Sequence, residues 1–402
     1  MFLIFPNYNM YSVTLLILVL QGYVFSGLLF YRYFKYRSLS DICLAVLLLF
    51  QGHHCTAYII GFMDWYDTFP TTKINYFLFD LSLAIGPLIY FYFKGLTQPS
   101  FKFRKIDWLH FAPAISYFSY GIFVWLYDSN TAIYPTVQNG PWEKNISFIY
   151  VYPVMAVVQR VSSLIYLVLT TVLFINYRKK IKAFFSNTYK VELNWLGLFL
   201  GIYIILYIIH LSLGILDQYL ELTWTDYWWG FFAIALTVYI VGMKGYYTDL
   251  TKLHDFSIQD FDELEMVNSV VSEISTRQKK LSKEAEEELI LINKNKERLT
   301  VYMTIEKPYL NPDLTLSELS KQFNFTPNYL SKVINSGFGK NFNEYINEHR
   351  VEAFKNRLQE GETHLSLLGM AYECGFNSKA TFNRTFKKMT GFTPSQFSKT
   401  LN

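Results

Sequence analysis

Residues 366–388 read SLLGMAYECGFNSKATFNRTFKK. Small Ala371 is followed four residues later by Gly375, which takes positive φ freely, and then by a run with apolar residues at helical spacing. Residues 314–335, LTLSELSKQFNFTPNYLSKVIN, have the same grammar, with Ser320 in the small position and Asn324, which tolerates a left-handed turn, four residues on. Each stretch reads as a helix, a tight turn and a second helix. This is the helix-turn-helix, whose second helix enters the major groove of DNA. Helix-start signals agree. Thr315 with Glu318, and Asn341 with Glu344, place a capping side chain three residues before a reciprocal acid, while Thr326-Pro327 and Thr393-Pro394 place a cap before a proline at the first helical position.

The stretch from about Leu316 to Phe397 resembles the AraC/XylS regulators, which carry two helix-turn-helix units joined by a long helix. The match runs through residues 372–397, YECGFNSKATFNRTFKKMTGFTPSQF: Gly375-Phe376, Phe382, Arg384, Phe386, Lys387, Lys388, Gly391, Pro394 and Phe397. Helical spacing puts Phe376, Phe382 and Phe386 in a core and leaves Ser378, Lys379, Ala380, Thr381, Asn383, Arg384 and Lys387 outward. The resemblance implies that Lys379, Ala380, Thr381 and Arg384 sit where the family reads base edges. Arg384 can bond a guanine bidentately, and Ala380 or Thr381 can meet a thymine methyl. Lys387 and Lys388 suit phosphate contacts, which position a protein without reading sequence. On the first unit, core spacing of Tyr329, Leu330, Val333 and Ile334 leaves Asn328, Ser331 and Lys332 as readers, with Pro327 departing from the polar residue more usual there. A linking helix near Phe342 to Gln359 would set the two readers about one DNA turn apart, roughly 34 Å. The arrangement with apolar spans ahead of this domain is also similar to membrane-bound bacterial members. The resemblance implies RNA polymerase as a partner besides promoter DNA.

Toward the N-terminus, Arg277 to Ile305 is rich in Lys, Glu and Leu, with Leu281, Ala285, Leu289, Ile292, Leu299 and Met303 at helical spacing. This amphipathic helix either packs on its own C-terminal domain or pairs with a second copy in a homodimer; Lys296 interrupts the stripe. Thr248 to Ser275 reads as a linker.

Up to about Tyr247 the chain obeys other rules. Apolar runs near the ~20 residues of a bilayer-spanning helix fall near Met10–Tyr31, Ser40–Met63, Ile74–Phe93, Asp107–Tyr127, Phe148–Tyr177, Asn194–Leu216 and Tyr227–Gly245. The loops after the first, third and fifth carry Arg32, Lys35 and Arg37; Lys94, Lys102, Arg104 and Lys105; and Arg178, Lys179, Lys180, Lys182 and Lys190, against Lys73 and Lys144 in the alternate loops. Lys and Arg are retained on the cytoplasmic side, so this bias sets the N-terminus outside and everything after the seventh span in the cytoplasm. Trp65, Trp108, Trp142, Trp195, Trp224 and Trp228 fall at span ends, as interfacial anchors do. The expected fold is therefore all-α: a seven-helix transmembrane bundle over 1–247, a linker with an amphipathic helix over 248–305, and a cytoplasmic double helix-turn-helix domain over 306–402, in the inner membrane of a bacterium.

Composition fits this division. Of 402 residues, 51% are hydrophobic and 19% aromatic, more than a soluble domain buries, while the net charge of +4 is too small to identify a partner. Cys43, Cys55 and Cys374 lie far apart, which suggests neither a disulfide framework nor a thiolate metal site. No cofactor and no catalysis are expected. Ionisable residues inside spans are costly and usually functional, and His53, His54, Asp80, Arg160 and His210 qualify. Measured from the external ends, Asp80 and His210 lie ~9 Å deep, His53 and His54 ~14 Å and Arg160 ~18 Å. They form either a pocket for an external ligand, centred on Arg160 and Asp80, or a structural Asp80–Arg160 ion pair beside satisfied histidines. A zinc hydrolase would need about three converging ligands, but adjacent His53 and His54 point about 100° apart and the seventh span offers none. Transport remains as the alternative class, although Pro87 and Pro153 read as simple kinks, with no pair of broken half-helices.

Overall fold

A computed structural model describes residues 8–65, 73, 76, 79–98, 101–186, 193–220, 222–223, 225–248, 282–360 and 365–401. Lys190, Trp224, Leu281, His364 and all of the expected linker except Thr248 lie outside those residues. The described residues are nearly all helical, and their one β-bridge joins Phe185 to Thr315. The chain divides into two compact units: residues 1–174 with 194–250, and residues 175–193 with 251–402.

The first unit contains α1 (Met10–Tyr36), α2 (Leu39–Phe62), α3 (Ile85–Thr97), α4 (Ala112–Ser129), most of α5 (Tyr152–Phe184), α6 (Asn194–Leu220) and α7 (Trp228–Tyr246). Among the described residues, six helices are long and apolar enough to cross a membrane. Each takes in a run read from the sequence. The remaining run, expected over Ile74–Phe93, becomes a 3-10 turn at Ser82–Ala84 followed by the 13-residue α3. Pro87 explains the late start, because proline lacks an N–H and is tolerated only in a helix's first turn, which is where α3 places it. Asp80 Oδ1 accepts the Ser82 N–H at 2.8 Å and opens the preceding turn. Pro153 likewise marks a boundary: a π-helix over Glu143–Val151 gives way there to α5. Both prolines, expected as kinks, stand where α-helix begins.

α1 packs against α2 and α7, and α2 also against α3. Leu15, Val19, Cys55, Ile59, Phe231 and Ala235 form the core between them. By contrast α5 exposes Val154, Val157, Val161, Ile165 and Val168, and α6 exposes Ile205, Ile208 and Ile215. A contiguous apolar surface of this kind is what lipid, rather than water, accommodates.

One ion pair ties three helix ends. Arg32 on α1 bonds Asp41 on α2 in a bidentate fork, Nε to Oδ2 at 2.8 Å and Nη2 to Oδ1 at 2.6 Å, and donates from Nη2 to the Gly245 carbonyl on α7 at 3.1 Å. Asp41 is 1% exposed, so removing its cation strands a buried charge. Arg32→Met is therefore expected to destabilise this unit by about 3–5 kcal/mol, and Arg32→Met with Asp41→Leu to recover most of it. Unfolding midpoints of the purified chain in detergent measure both.

Candidate functional site

The second unit begins with α8 (Ser282–Ile305) and continues through α9 (Leu316–Gln322), α10 (Pro327–Phe338), α11 (Phe342–Gln359), α12 (Leu367–Glu373), α13 (Lys379–Thr390) and α14 (Pro394–Leu401). The caps read from the sequence form. Thr315 Oγ1 accepts the Glu318 N–H at 3.2 Å while Glu318 Oε2 accepts the Thr315 N–H at 2.9 Å. Asn341 Oδ1 accepts the Glu344 N–H at 3.0 Å, and Thr326 caps α10 just ahead of Pro327. The two turns carry positive φ where expected, 54° at Asn324 and 90° at Gly375.

α10 buries Leu330, Val333 and Ile334; Lys332 is exposed, with Asn328 and Ser331 half-buried. α13 buries Phe382 and Phe386 against Phe354 of α11, in a core that includes Phe376 and Cys374. Lys379, Ala380, Asn383, Arg384, Lys387 and Lys388 are exposed together along α13. Thr381, expected outward, is instead 7% exposed, beside buried Phe382 on the inner side of α13, and its backbone N–H donates to the Ser378 cap at 3.4 Å. Lys388, expected on phosphate, bonds Glu344 of α11 at 2.9 Å and holds that carboxyl below its usual range. Exposure thus places seven of the ten expected readers on open helix faces, with Asn328 and Ser331 half-covered and Thr381 covered.

α8 packs on α10. Its buried residues Ile292, Leu299 and Met303 are those of the apolar stripe, but the stripe also contains Asn295, 4% exposed, whose Nδ2 donates to Tyr329 Oη at 3.0 Å. Lys296, the interruption, lays its Nζ 5.1 Å over the Phe338 ring. The stripe is used within one chain, and a polar pair fixes its register.

The sequence reading missed Arg350. It sits in α11 within a four-residue spacing shared with Phe342, Ile346 and Phe354, and it is 1% exposed. Its guanidinium donates to the Tyr309 carbonyl at 2.7 Å, the Asn311 carbonyl at 2.8 Å and Ser186 Oγ at 3.1 Å. Burial pulls it down to about 10. Ser186, fully buried, donates from Oγ to the Leu314 carbonyl at 2.6 Å, and its own carbonyl accepts from Asn343 Nδ2 at 2.7 Å. The short segment after α5 is thereby built into the helix-turn-helix unit. An arginine inside an apolar stripe was the available signal.

In the first unit a cavity of ≈ 300 Å³ is lined by Asp80, Tyr117, Tyr120, Glu143, Tyr152 and Gln159, among others. Of the five ionisable residues expected to share a pocket, only Asp80 lines it. His54 packs edge-on near Tyr58 and Phe231, with ring centroids 5.8 and 5.9 Å away, and His53 is half-buried beside it. His210 is exposed. Arg160 turns toward α6, its Nη2 2.8 Å from where a Cβ on Gly214 would lie, and its buried Nε has no hydrogen-bond partner among the described residues. The expected Asp80–Arg160 pair is not among the ion pairs of the described residues, because Arg160 is committed to the glycine notch of α6.

A Cβ at Gly375 would lie 2.3 Å from the Tyr309 carbonyl and 2.9 Å from Arg350 Nε, at a φ that side chains rarely adopt. Gly375→Ala is expected to lower the stability of this unit by at least ~1–3 kcal/mol through strain. Ser186→Ala should cost about 1–3 kcal/mol by leaving Arg350 and Leu314 underbonded. Thermal unfolding of the full chain, followed through this unit by hydrogen exchange, measures both.

A family profile described as a helix-turn-helix domain matches residues 319–400. An uncharacterised HTH-type transcriptional regulator of Bacillus subtilis (strain 168) is 32% identical over 85 residues, 21% of this chain and 11% of the relative. One from Staphylococcus aureus (strain COL) is 36% identical over 89 residues, 22% of this chain and 12% of the relative. The chain thus spans about a ninth of the length of the curated relatives it matches. A solved structure of a protein of unknown function from Listeria innocua is 29% identical, covering 26% of this chain and 94% of its own, with a TM-score of 0.23. Residues 319–400 of this chain form a helix-turn-helix domain.

Proposed function

We propose that the protein is a membrane-embedded transcription regulator of the AraC/XylS kind, which senses an external or membrane-borne signal and binds promoter DNA through its two helix-turn-helix units. The observation that carries this reading is the exposed row Lys379, Asn383, Arg384, Lys387 on α13, held by α11 in one domain with the Lys332 face of α10. Paired major-groove helices suit readout of two successive segments on one face of a duplex. The names of the relatives, HTH-type transcriptional regulators, favour the same role. RNA polymerase is the partner this role would call for at the promoter.

The membrane half crosses seven times, with the N-terminus outside and the DNA-binding unit in the cytoplasm of a bacterial cell. The six long apolar helices and the lipid-like surface of α5 and α6 support this. The short third traverse combines about 20 Å of α3 with about 6 Å of 3-10 turn, close to the ~30 Å of a hydrocarbon core. The signal reaches the DNA-binding unit through the chain after the seventh traverse and through the Ser186 segment after the fifth, biasing one of two states. No catalysis is required.

Genome-wide mapping of tagged full-length protein in its native cell, with transcript changes on deletion, tests the reading: discrete promoter peaks are expected, and an intact protein with no peaks would overturn it. At a mapped site, Arg384→Ala should relax specificity at one base pair and cost roughly 1–3 kcal/mol, while Lys387→Ala should mainly lower the salt slope of binding. Equal effects would contradict the division between base and phosphate contacts.

A further inference from the structure

The ≈ 300 Å³ cavity of the first unit is acidic and aromatic, with no basic side chain among its described lining residues. Its thirteen lining residues include Asp80, Glu143 and Gln159, the tyrosines 76, 117, 120 and 152, and Phe79 and Phe118, with no Lys, Arg or His among them. Glu143 is 8% exposed, and the Tyr152 hydroxyl donates to its Oε1. Behind the wall, fully buried Asp128 accepts from Tyr76 Oη at 2.8 Å and from the backbone N–H groups of Trp142 at 2.8 Å and Glu143 at 3.1 Å. Among the described residues no Lys or Arg forms an ion pair with Asp80, Asp128 or Glu143, and the basic groups nearest in charge to Asp80 are His53 and His54, which lie outside the lining. Lys73, on the same side of the unit, directs its Nζ instead to the Val137 carbonyl, over the Tyr134 ring.

Buried carboxylates without a counter-ion are costly, and hydroxyl donors offset that only in part. The rings add to the same field. Aromatic faces are electronegative, and a ligand cation within about 6 Å of a ring centroid is attracted to them. Tyr117 and Tyr120 stand nearly parallel with centroids 6.4 Å apart, and Phe79 meets Phe118 edge-on at 4.8 Å. A hard divalent ion would ask for six or more oxygen ligands, and among the described residues no three acidic, histidine or cysteine side chains converge. The volume is at the lower end of the roughly 300–1,000 Å³ typical of small-molecule sites.

We infer that this cavity binds a small organic cation, of the alkylammonium or quaternary ammonium class, with Asp80 at its mouth supplying the counter-charge and the tyrosines forming the cage. The assignment deepens the sensor reading above and rests on it for its meaning, since residues from the third, fourth and fifth traverses would then meet around one external ligand. Binding itself is measured independently of DNA.

The test uses full-length protein in nanodiscs of phosphatidylglycerol, whose headgroup carries no ammonium group, with radiolabelled choline in equilibrium dialysis. Saturable binding is expected, competed by tetramethylammonium and not by 3,3-dimethylbutan-1-ol, the neutral isostere of choline. Asp80→Asn should weaken it at least tenfold, and Asp80→Glu should restore most of it, with circular dichroism of both unchanged. Tyr117→Ala should also weaken it, and Tyr117→Phe should not. Absence of saturable binding at millimolar choline, equal competition by the neutral isostere, or displacement by calcium alone would overturn the assignment. Binding with unchanged promoter occupancy would uphold the site while removing its link to transcription.

Discussion

The guanidinium of Arg350 sits where the backbone of the DNA-binding unit would otherwise leave carbonyls without donors. The 308–311 turn ahead of α9 contributes the carbonyls of Tyr309 and Asn311, and the segment after α5 contributes the Ser186 hydroxyl. Desolvating an arginine is expensive, and it is tolerated because every face of the fork finds an acceptor. The constraint propagates. Gly375 has to be glycine because a side chain there would strike the Arg350 Nε and the carbonyl it serves. The second turn, and so the direction of α13, is set by the same group. Phe354, one turn further along α11, then fixes α13 from below through Phe382 and Phe386. The linking helix is thus more than a spacer between two readers: its buried face determines where both begin.

The first unit presents a different constraint, because many of the outward residues of its long helices are apolar. Helices whose outward residues are Val and Ile need no polar face, so hydrogen bonding is internal and side-chain polarity is confined to a few places. Two of these are the Arg32–Asp41 tie at one end of α1 and α2 and the tyrosine-rich cavity reached by Asp80 and Glu143. Prolines set the geometry near the second. Pro87 delays α3 and leaves Asp80 on a turn rather than in a helix, and Pro153 ends a π-helical stretch whose first residue is Glu143.

Much of this was legible in the sequence. Six apolar runs, the capping pairs and both turns follow from local rules that act over three to four residues, and such rules are visible without knowing the fold. The amphipathic stripe was legible as a stripe, yet its partner was not, since Ile292, Leu299 and Met303 would serve a second chain as well as α10; within one chain they lie on α10, beside the Asn295–Tyr329 bond. Thr381 was misplaced because helical spacing predicts the centre of a face and not how far burial extends around its flank. Arg160 was misplaced because depth along a span says nothing of rotation about it, and the notch at Gly214 lies on another helix. Arg350 and Ser186 are 164 residues apart, and no periodicity joins them. The uncompensated acids of the cavity belong to three separate stretches and become a group only when the helices assemble.

The stitching of Phe185 and Ser186 into the DNA-binding unit changes what it means for that unit to be attached. The helix-turn-helix helices are held to the rest of the chain in two ways: by hydrogen bonds to the 175–193 segment, which runs between α5 and α6, and by one covalent link, the chain arriving from α7. A protease that cut once between Tyr247 and Ser282 would sever the second and leave the first gripping through hydrogen bonds in a dry interior. The product would be a nicked chain whose two parts stay together. Separating the helix-turn-helix helices would require prising Ser186 from Arg350 as well.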